Sequence, residues 1–128
     1  MNLKTIFKRL ILLDLSLIIL IIVTVFFESA EVADFNRYFE NDFSNAIFII
    51  FGIALLIHLF NLFLLYKFKS IGKQIYFILF IVFIVLSLLL PPTATDSLLY
   101  TLEGLGMANS GAILVLLYFS PIKKEFEK

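Results

Sequence analysis

Four long apolar runs divide this chain, and nine of its ten basic residues stand beside run ends that must share one side of a membrane. Lys4, Lys8 and Arg9 precede the first run, Lys67, Lys69 and Lys73 separate the second from the third, and Lys123, Lys124 and Lys128 follow the fourth. Arg37 alone stands on the other side. Loops that remain cytoplasmic retain Lys and Arg, whereas translocated loops shed them. The pattern predicts an all-α integral membrane protein, one domain over residues 1–128, with four transmembrane helices in an up-down bundle and both termini cytoplasmic. Sequential helices joined by short loops are then expected to be antiparallel neighbours.

The apolar content carries the same conclusion. At 62% apolar residues the chain lies above the globular norm of roughly half, and its mean hydropathy is +1.06. With Phe alone at 16 residues, helices built from it are apolar on nearly every face and need lipid around them. The neutral net charge hides an asymmetry: Glu28, Glu31, Asp34, Glu40 and Asp42 crowd one outer segment. Once topology accounts for the lysines, no basic patch remains for nucleic acid. With no Cys, disulfides, thiolate metal sites and a cysteine nucleophile are excluded. The spans give the expected location, a bacterial inner (cytoplasmic) membrane, and the abundance of Ile, Phe, Lys and Asn suits a bacterium with an AT-rich genome.

The spans are expected at about residues 10–27, 45–66, 71–90 and 98–119. The first, about 27 Å long at helical rise, matches the hydrocarbon thickness. It resembles a signal peptide in its basic start, but Glu28 and Glu31 occupy the −3 positions for cleavage after Ala30 and Ala33, so it stays as a span. Pro91 and Pro92 end the third span, Thr95 or Asp96 caps the fourth, and Pro121 closes it. Between 28 and 43, Val32, Phe35, Phe39 and Phe43 recur at helical spacing among acidic residues, which predicts a short amphipathic helix on the outer surface. An alternative parse makes residues 96–106, with Glu103, Gly104 and Gly106, a re-entrant or interfacial segment before an undersized span over 107–119.

Polar groups at membrane depth are the candidate functional residues, because a centred charge costs roughly 2.5–3.5 kcal/mol on insertion scales. Asp14 lies five residues past Arg9, and Asn61 lies six residues before Lys67, at nearly the same depth on an antiparallel helix. His58 is one turn deeper on the face of Asn61. An Asp14, His58, Asn61 cluster follows, and it admits two readings: a protonatable pair coupled to proton movement, or interhelical hydrogen bonds that set helix register. Leu17, Ile18 and Ile21, the helical neighbours of Asp14, are apolar, so no polar track crosses span one. His58, the only His, offers haem ligation only with a second subunit, and no metal-ligand spacing appears, so neither cofactor nor metal is expected.

Span four is the most differentiated. Gly104, Ala108 and Ala112, with Gly111 adjoining, form a small-xxx-small row of the kind that lets membrane helices approach closely. Glu103 and Asn109 are its polar candidates, Asn109 near the midplane, and Glu103 is within reach of outer water or of Arg37. Span three, interrupted only by Tyr76 and Ser87, is expected to face lipid. No nucleophile elbow, phosphate-binding glycine loop or pair of carboxylates at one depth is present, so an enzyme is not expected. In size and span number the chain resembles the small multidrug-resistance transporters, through Asp14 in span one, and the membrane protein encoded beside ATP synthase subunits. Asp14 lacks the first group's accompanying motif residues, and neither resemblance assigns a site. The expected function is a non-enzymatic accessory, assembly or structural subunit, in a homo- or hetero-oligomer within the bilayer. The alternative is a small proton-coupled transporter or ion pathway formed by oligomerisation around Asp14, His58 and Glu103.

Overall fold

The computed structural model describes residues 2–40, 45–89 and 93–127, and in them every regular element is helical. The order is α1 (Leu3–Val25), α2 (Ala30–Glu40), α3 (Asn45–Tyr66), α4 (Ser70–Leu89) and α5 (Ser97–Phe119), then a 3₁₀ segment (Pro121–Phe126). Pro91 and Pro92, and with them the expected stop of span three, lie outside the described residues, as do Asp42 and Phe43.

Three helices are long and apolar enough to cross a membrane: Ala46–Tyr66, Ser70–Leu89 and Ser97–Phe119. A fourth is reached when α1 is taken with Ala30–Tyr38, which lies at 87° to it. The first helix differs from the expected 10–27 at both ends. It starts at Leu3 because the Asn2 side chain accepts the Lys4 amide at 3.1 Å, a cap that draws Lys4, Lys8 and Arg9 onto the helix. It stops at Val25, and Phe26 and Phe27 form the turn into α2. Ser97–Phe119 is one continuous helix, without the break that a re-entrant segment over residues 96–106 requires.

The helices pair as α1 with α5 and α3 with α4; α1 touches α3, and α4 touches α5, over shorter stretches. Chain order therefore gives the α3–α4 hairpin, but α1 lies chiefly on α5 rather than on α3, the next long helix. The core lies toward the end of the bundle that carries both termini. Phe7, Ile11, Leu65, Tyr76, Ile113 and Leu117 are buried there together with Ile122 and Phe126 of the 3₁₀ segment. Pro121 does close α5, and Ser120 then accepts the Ile122 amide at 3.2 Å, turning the chain back under the bundle. Lys4 and Glu125 pair at 2.9 Å across this fold-back.

The α3–α4 turn uses a phenylalanine where glycine is usual. Phe68 has φ of 56°, with its amide donating to the Leu65 carbonyl at 2.9 Å and the Lys69 amide donating to that of Leu64 at 3.0 Å. That double bond is the Schellman helix ending. A left-handed non-glycine residue costs roughly 1–2 kcal/mol, and the ring contacts offset it. Phe68 lies 5.7 Å from Phe7 and 5.3 Å from Phe126, centroid to centroid, and Phe7 lies 5.7 Å from Phe126.

At the opposite end, Asp96 takes the N-cap position of α5 without making the cap bond. Its carboxylate instead accepts from the Ser29 amide and from the Ser29 hydroxyl, each at 3.0 Å. Asn36 on α2 mirrors this: its amide nitrogen donates to the Ala94 carbonyl at 3.1 Å and to Glu28 at 2.7 Å, while its oxygen accepts the Ala94 amide at 2.9 Å. The two clips hold α2 against the α4–α5 connection.

Candidate functional site

Asp14 is buried between three helices, and both its carboxylate oxygens are engaged. Oδ2 lies 3.1 Å from His58 Nε2 on α3, a bond that an Nε2–H tautomer donates. Oδ1 accepts from the Asn109 amide of α5 at 2.8 Å. The same amide nitrogen donates to the Leu10 carbonyl at 3.2 Å, one turn before Asp14. Asn109 thus bridges a main-chain acceptor and a side-chain acceptor on α1. An exposed polar pair in water contributes little, but in a buried setting each member is costly to leave unmatched.

Helical periodicity explains the site's position. Phe7, Ile11, Asp14 and Leu17 recur at three and four residues and form the buried face of α1. Asp14 thus continues the apolar stripe that begins with Phe7, and its neighbours toward the termini, Ile11 and Phe7, belong to the core. On the other side His58 is enclosed by aromatic rings: Tyr76 of α4 at 5.5 Å and Phe83 at 5.8 Å between centroids. Tyr76, expected on a helix that faces lipid, is 1% exposed and turned inward; α4 buries Gly72, Tyr76, Leu79 and Leu86 and leaves Phe77, Ile78, Ile81 and Ile84 exposed.

Asn61 reaches the same interior but does not join the node. It is fully buried, and neither its Nδ2 nor its Oδ1 has a hydrogen-bond partner among the described residues. It faces Gly72, where an added Cβ would lie 3.3 Å from Asn61 Oδ1, 3.2 Å from the Leu65 backbone nitrogen and 3.0 Å from Leu64 Cβ. The closest glycine-mediated approach of two helices in the chain is therefore between α3 and α4. Gly104, Ala108 and Ala112 lie on the exposed side of α5, Gly111 is half-buried, and a Cβ at Gly104 or Gly111 would meet nothing within 4 Å. The buried side of α5 is instead Leu99, Asn109, Ile113 and Leu117.

Glu103 shares the exposed side of α5 with the small row. It does not meet Arg37, whose guanidinium lies 3.8 Å from Asp34 on its own helix. Glu103 is thus separate from the Asp14 node. Asn109 was legible as a midplane polar residue, but its partner depended on α1 lying against α5. The half-buried Ser120 and buried Phe126 of the terminal fold-back carried a signal in the Ser-Pro sequence and in the Ile122, Phe126 spacing of one turn.

No protein-family model, curated protein or solved structure matches this chain.

Proposed function

We propose that this chain is a four-span protein of the bacterial inner membrane with both termini cytoplasmic. In this reading it serves as a non-enzymatic accessory, assembly or structural subunit whose intramembrane polar residues fasten helices together. The observation that carries the reading is the closure of Asp14. Both carboxylate oxygens are bonded within the chain, and the α1 side chains that lead from it toward the termini are buried apolar ones. A residue that handed protons across the bilayer would need a polar path on at least one side of that pair.

The membrane placement draws support from the rest of the fold. Helix α2, at 87° to α1, has the direction of a segment lying in the membrane plane. The aromatics Phe26, Phe27 and Tyr38, each about 80% exposed, surround its start and end in the manner of interfacial anchors. The exposed Gly104, Ala108 and Ala112 with Glu103 beside them leave α5 with an outward side suited to another membrane helix. The direct Asp14–His58 contact favours a second reading, a proton-coupled carrier assembled from several copies.

Two measurements test this. The chain has no Cys, so single cysteines at Tyr38 and Ser70, both exposed, report sidedness to an impermeant thiol reagent on intact cells. Tyr38→Cys should label and Ser70→Cys should not; the reverse pattern overturns the orientation. Native mass measurement in mild detergent should find the chain in a stable complex with a different membrane protein. A homo-oligomer that carries protons in liposomes, and loses that flux in Asp14→Asn, replaces the subunit reading by the carrier.

A further inference from the structure

The outward side of the α3–α4 pair is grooved. Ile50, Ile53 and Ile57 form one wall and Ile75, Ile78 and Val82 the other, over a floor of the buried Ala54 and Leu79, enclosing about 410 Å³. Every lining side chain is hydrocarbon. The groove follows α4 from Ile75 to Val82, about 10 Å at helical rise. Its walls are β-branched, and this bears on what can lie in it. Membrane helices that pack closely do so over small residues, and five isoleucines hold a second helix backbone away. A single flexible hydrocarbon chain is thin enough to enter and has no polar group to leave unmatched.

Charge at one end narrows the occupant. The turn from α3 to α4 carries Lys67 and Lys69, both exposed and neither in an ion pair among the described residues. Gln74, also exposed, lies one turn before Ile78 on α4. The Lys67 ammonium sits 5.8 Å from the centre of the Phe63 ring, at the α3 end of this turn. Two cations and an amide therefore stand on the terminal side of a groove that takes only hydrocarbon. We propose that this groove and turn form a binding site for one anionic phospholipid, its acyl chain between α3 and α4 and its phosphate at Lys67, Lys69 and Gln74. The lipid comes from the leaflet on the side of the chain termini. The inference rests on the membrane-spanning reading given above.

The test titrates the full chain in detergent with phosphatidylglycerol and phosphatidylcholine of identical acyl chains and counts retained lipids by native mass spectrometry. One phosphatidylglycerol should be retained, with a preference over phosphatidylcholine on the order of tenfold. Lys67→Gln and Lys69→Gln should each reduce phosphatidylglycerol retention about fivefold and leave phosphatidylcholine unchanged. Ile53→Trp and Ile78→Trp, each filling the groove from a different wall, should lower retention of both lipids in variants that keep wild-type helicity. Equal retention of the two lipids by the native chain overturns the proposal. Undiminished retention in the tryptophan variants overturns it as well, as does a second copy crosslinked across the groove from a cysteine at Ile78. Extraction of the chain from vesicles at alkaline pH would instead defeat the membrane-spanning reading, so the two failures are distinct.

Discussion

Asp14 on α1 and His58 on α3 meet at 3.1 Å across 44 residues of sequence, and the pair is enclosed by the Asn109 amide and the Tyr76 ring. Because Asp14 is buried, His58 is largely screened, and the two share one bond, the loss of either removes the same bond. Asp14→Leu and His58→Leu should therefore be non-additive in reversible unfolding in mixed detergent, with a coupling of about 0.5–2 kcal/mol. Additivity within about 0.5 kcal/mol would show that the contact contributes nothing to stability.

Two buried asparagines should respond in opposite ways to the same change. Asn109 donates to Asp14 and to the Leu10 carbonyl, so Asn109→Leu leaves the buried Asp14 Oδ1 short of a donor, removes the extra bond to a helical carbonyl, and should cost about 1–3 kcal/mol. Asn61 has neither side-chain atom bonded among the described residues. Asn61→Leu has a similar shape and abandons no bond, so it should be neutral within about 1 kcal/mol or stabilising. Thermal unfolding of both variants decides it, and an Asn61 variant as damaged as the Asn109 variant would mean that Asn61 holds a partner.

Glycine placement gives a second contrast. At Gly72 a new Cβ meets the Leu65 backbone nitrogen at 3.2 Å, and backbone inside a helix cannot step aside. Gly72→Ala should cost about 1–3 kcal/mol through overpacking of α3 on α4. Gly104→Ala meets nothing within 4 Å and should leave the isolated chain as stable or slightly more so, since alanine is the better helix former. Bulk at Ala108, on the exposed side of α5, should likewise spare the fold. If Ala108→Ile unfolds the chain, the small row packs inside the bundle.

What the amino-acid pattern made legible follows from what pattern can encode. The apolar runs coincide with helices α3, α4 and α5, because a run long enough to match the hydrocarbon thickness is also a long uninterrupted helix. Depth is also legible, since it counts residues from a charged boundary, and it brought Asp14 level with His58 and Asn61. Rotation about the helix axis is not legible in helices that are apolar all round. Nothing in the runs said that Asn109 would turn toward Asp14 while Gly104 and Ala108 turned away, or that Tyr76 would face inward. Pairing was equally hidden: α1 on α5 is a contact between the first and last long helices, and loop lengths constrain only consecutive ones.

The terminal fold-back should depend on its aromatic contacts far more than on its ion pair. Phe126 is buried against Phe7 and Phe68, and Phe126→Ala should cost about 3 kcal/mol through lost burial and the cavity left behind. Lys4→Ala removes a pair whose side chains are 48% and 23% exposed and should cost less than about 1 kcal/mol. Loss of Phe126 should also release the strained Phe68 turn, which amide hydrogen exchange at Phe68 and Lys69 reads directly. Slow exchange there in Phe126→Ala would mean that the helix ending needs no support from the fold-back.

At the other end, the stability of α2 is expected to be local. Asn36 exchanges two bonds with the Ala94 backbone, and Asp96 accepts both the amide and the hydroxyl of Ser29. These clips carry α2 without adding to the apolar core, which lies toward the termini. Asn36→Ala and Asp96→Ala should each cost about 1–2 kcal/mol in holding α2 to the α4–α5 connection. The cost should appear as faster amide exchange across 30–38, with exchange across α5 unchanged. Ser29→Ala should be milder than Asp96→Ala, because the Ser29 amide still donates to Asp96 once the hydroxyl is gone. Equal acceleration throughout α2 and α5 would show that the clips hold the whole bundle, and that α2 is part of its cooperative unit.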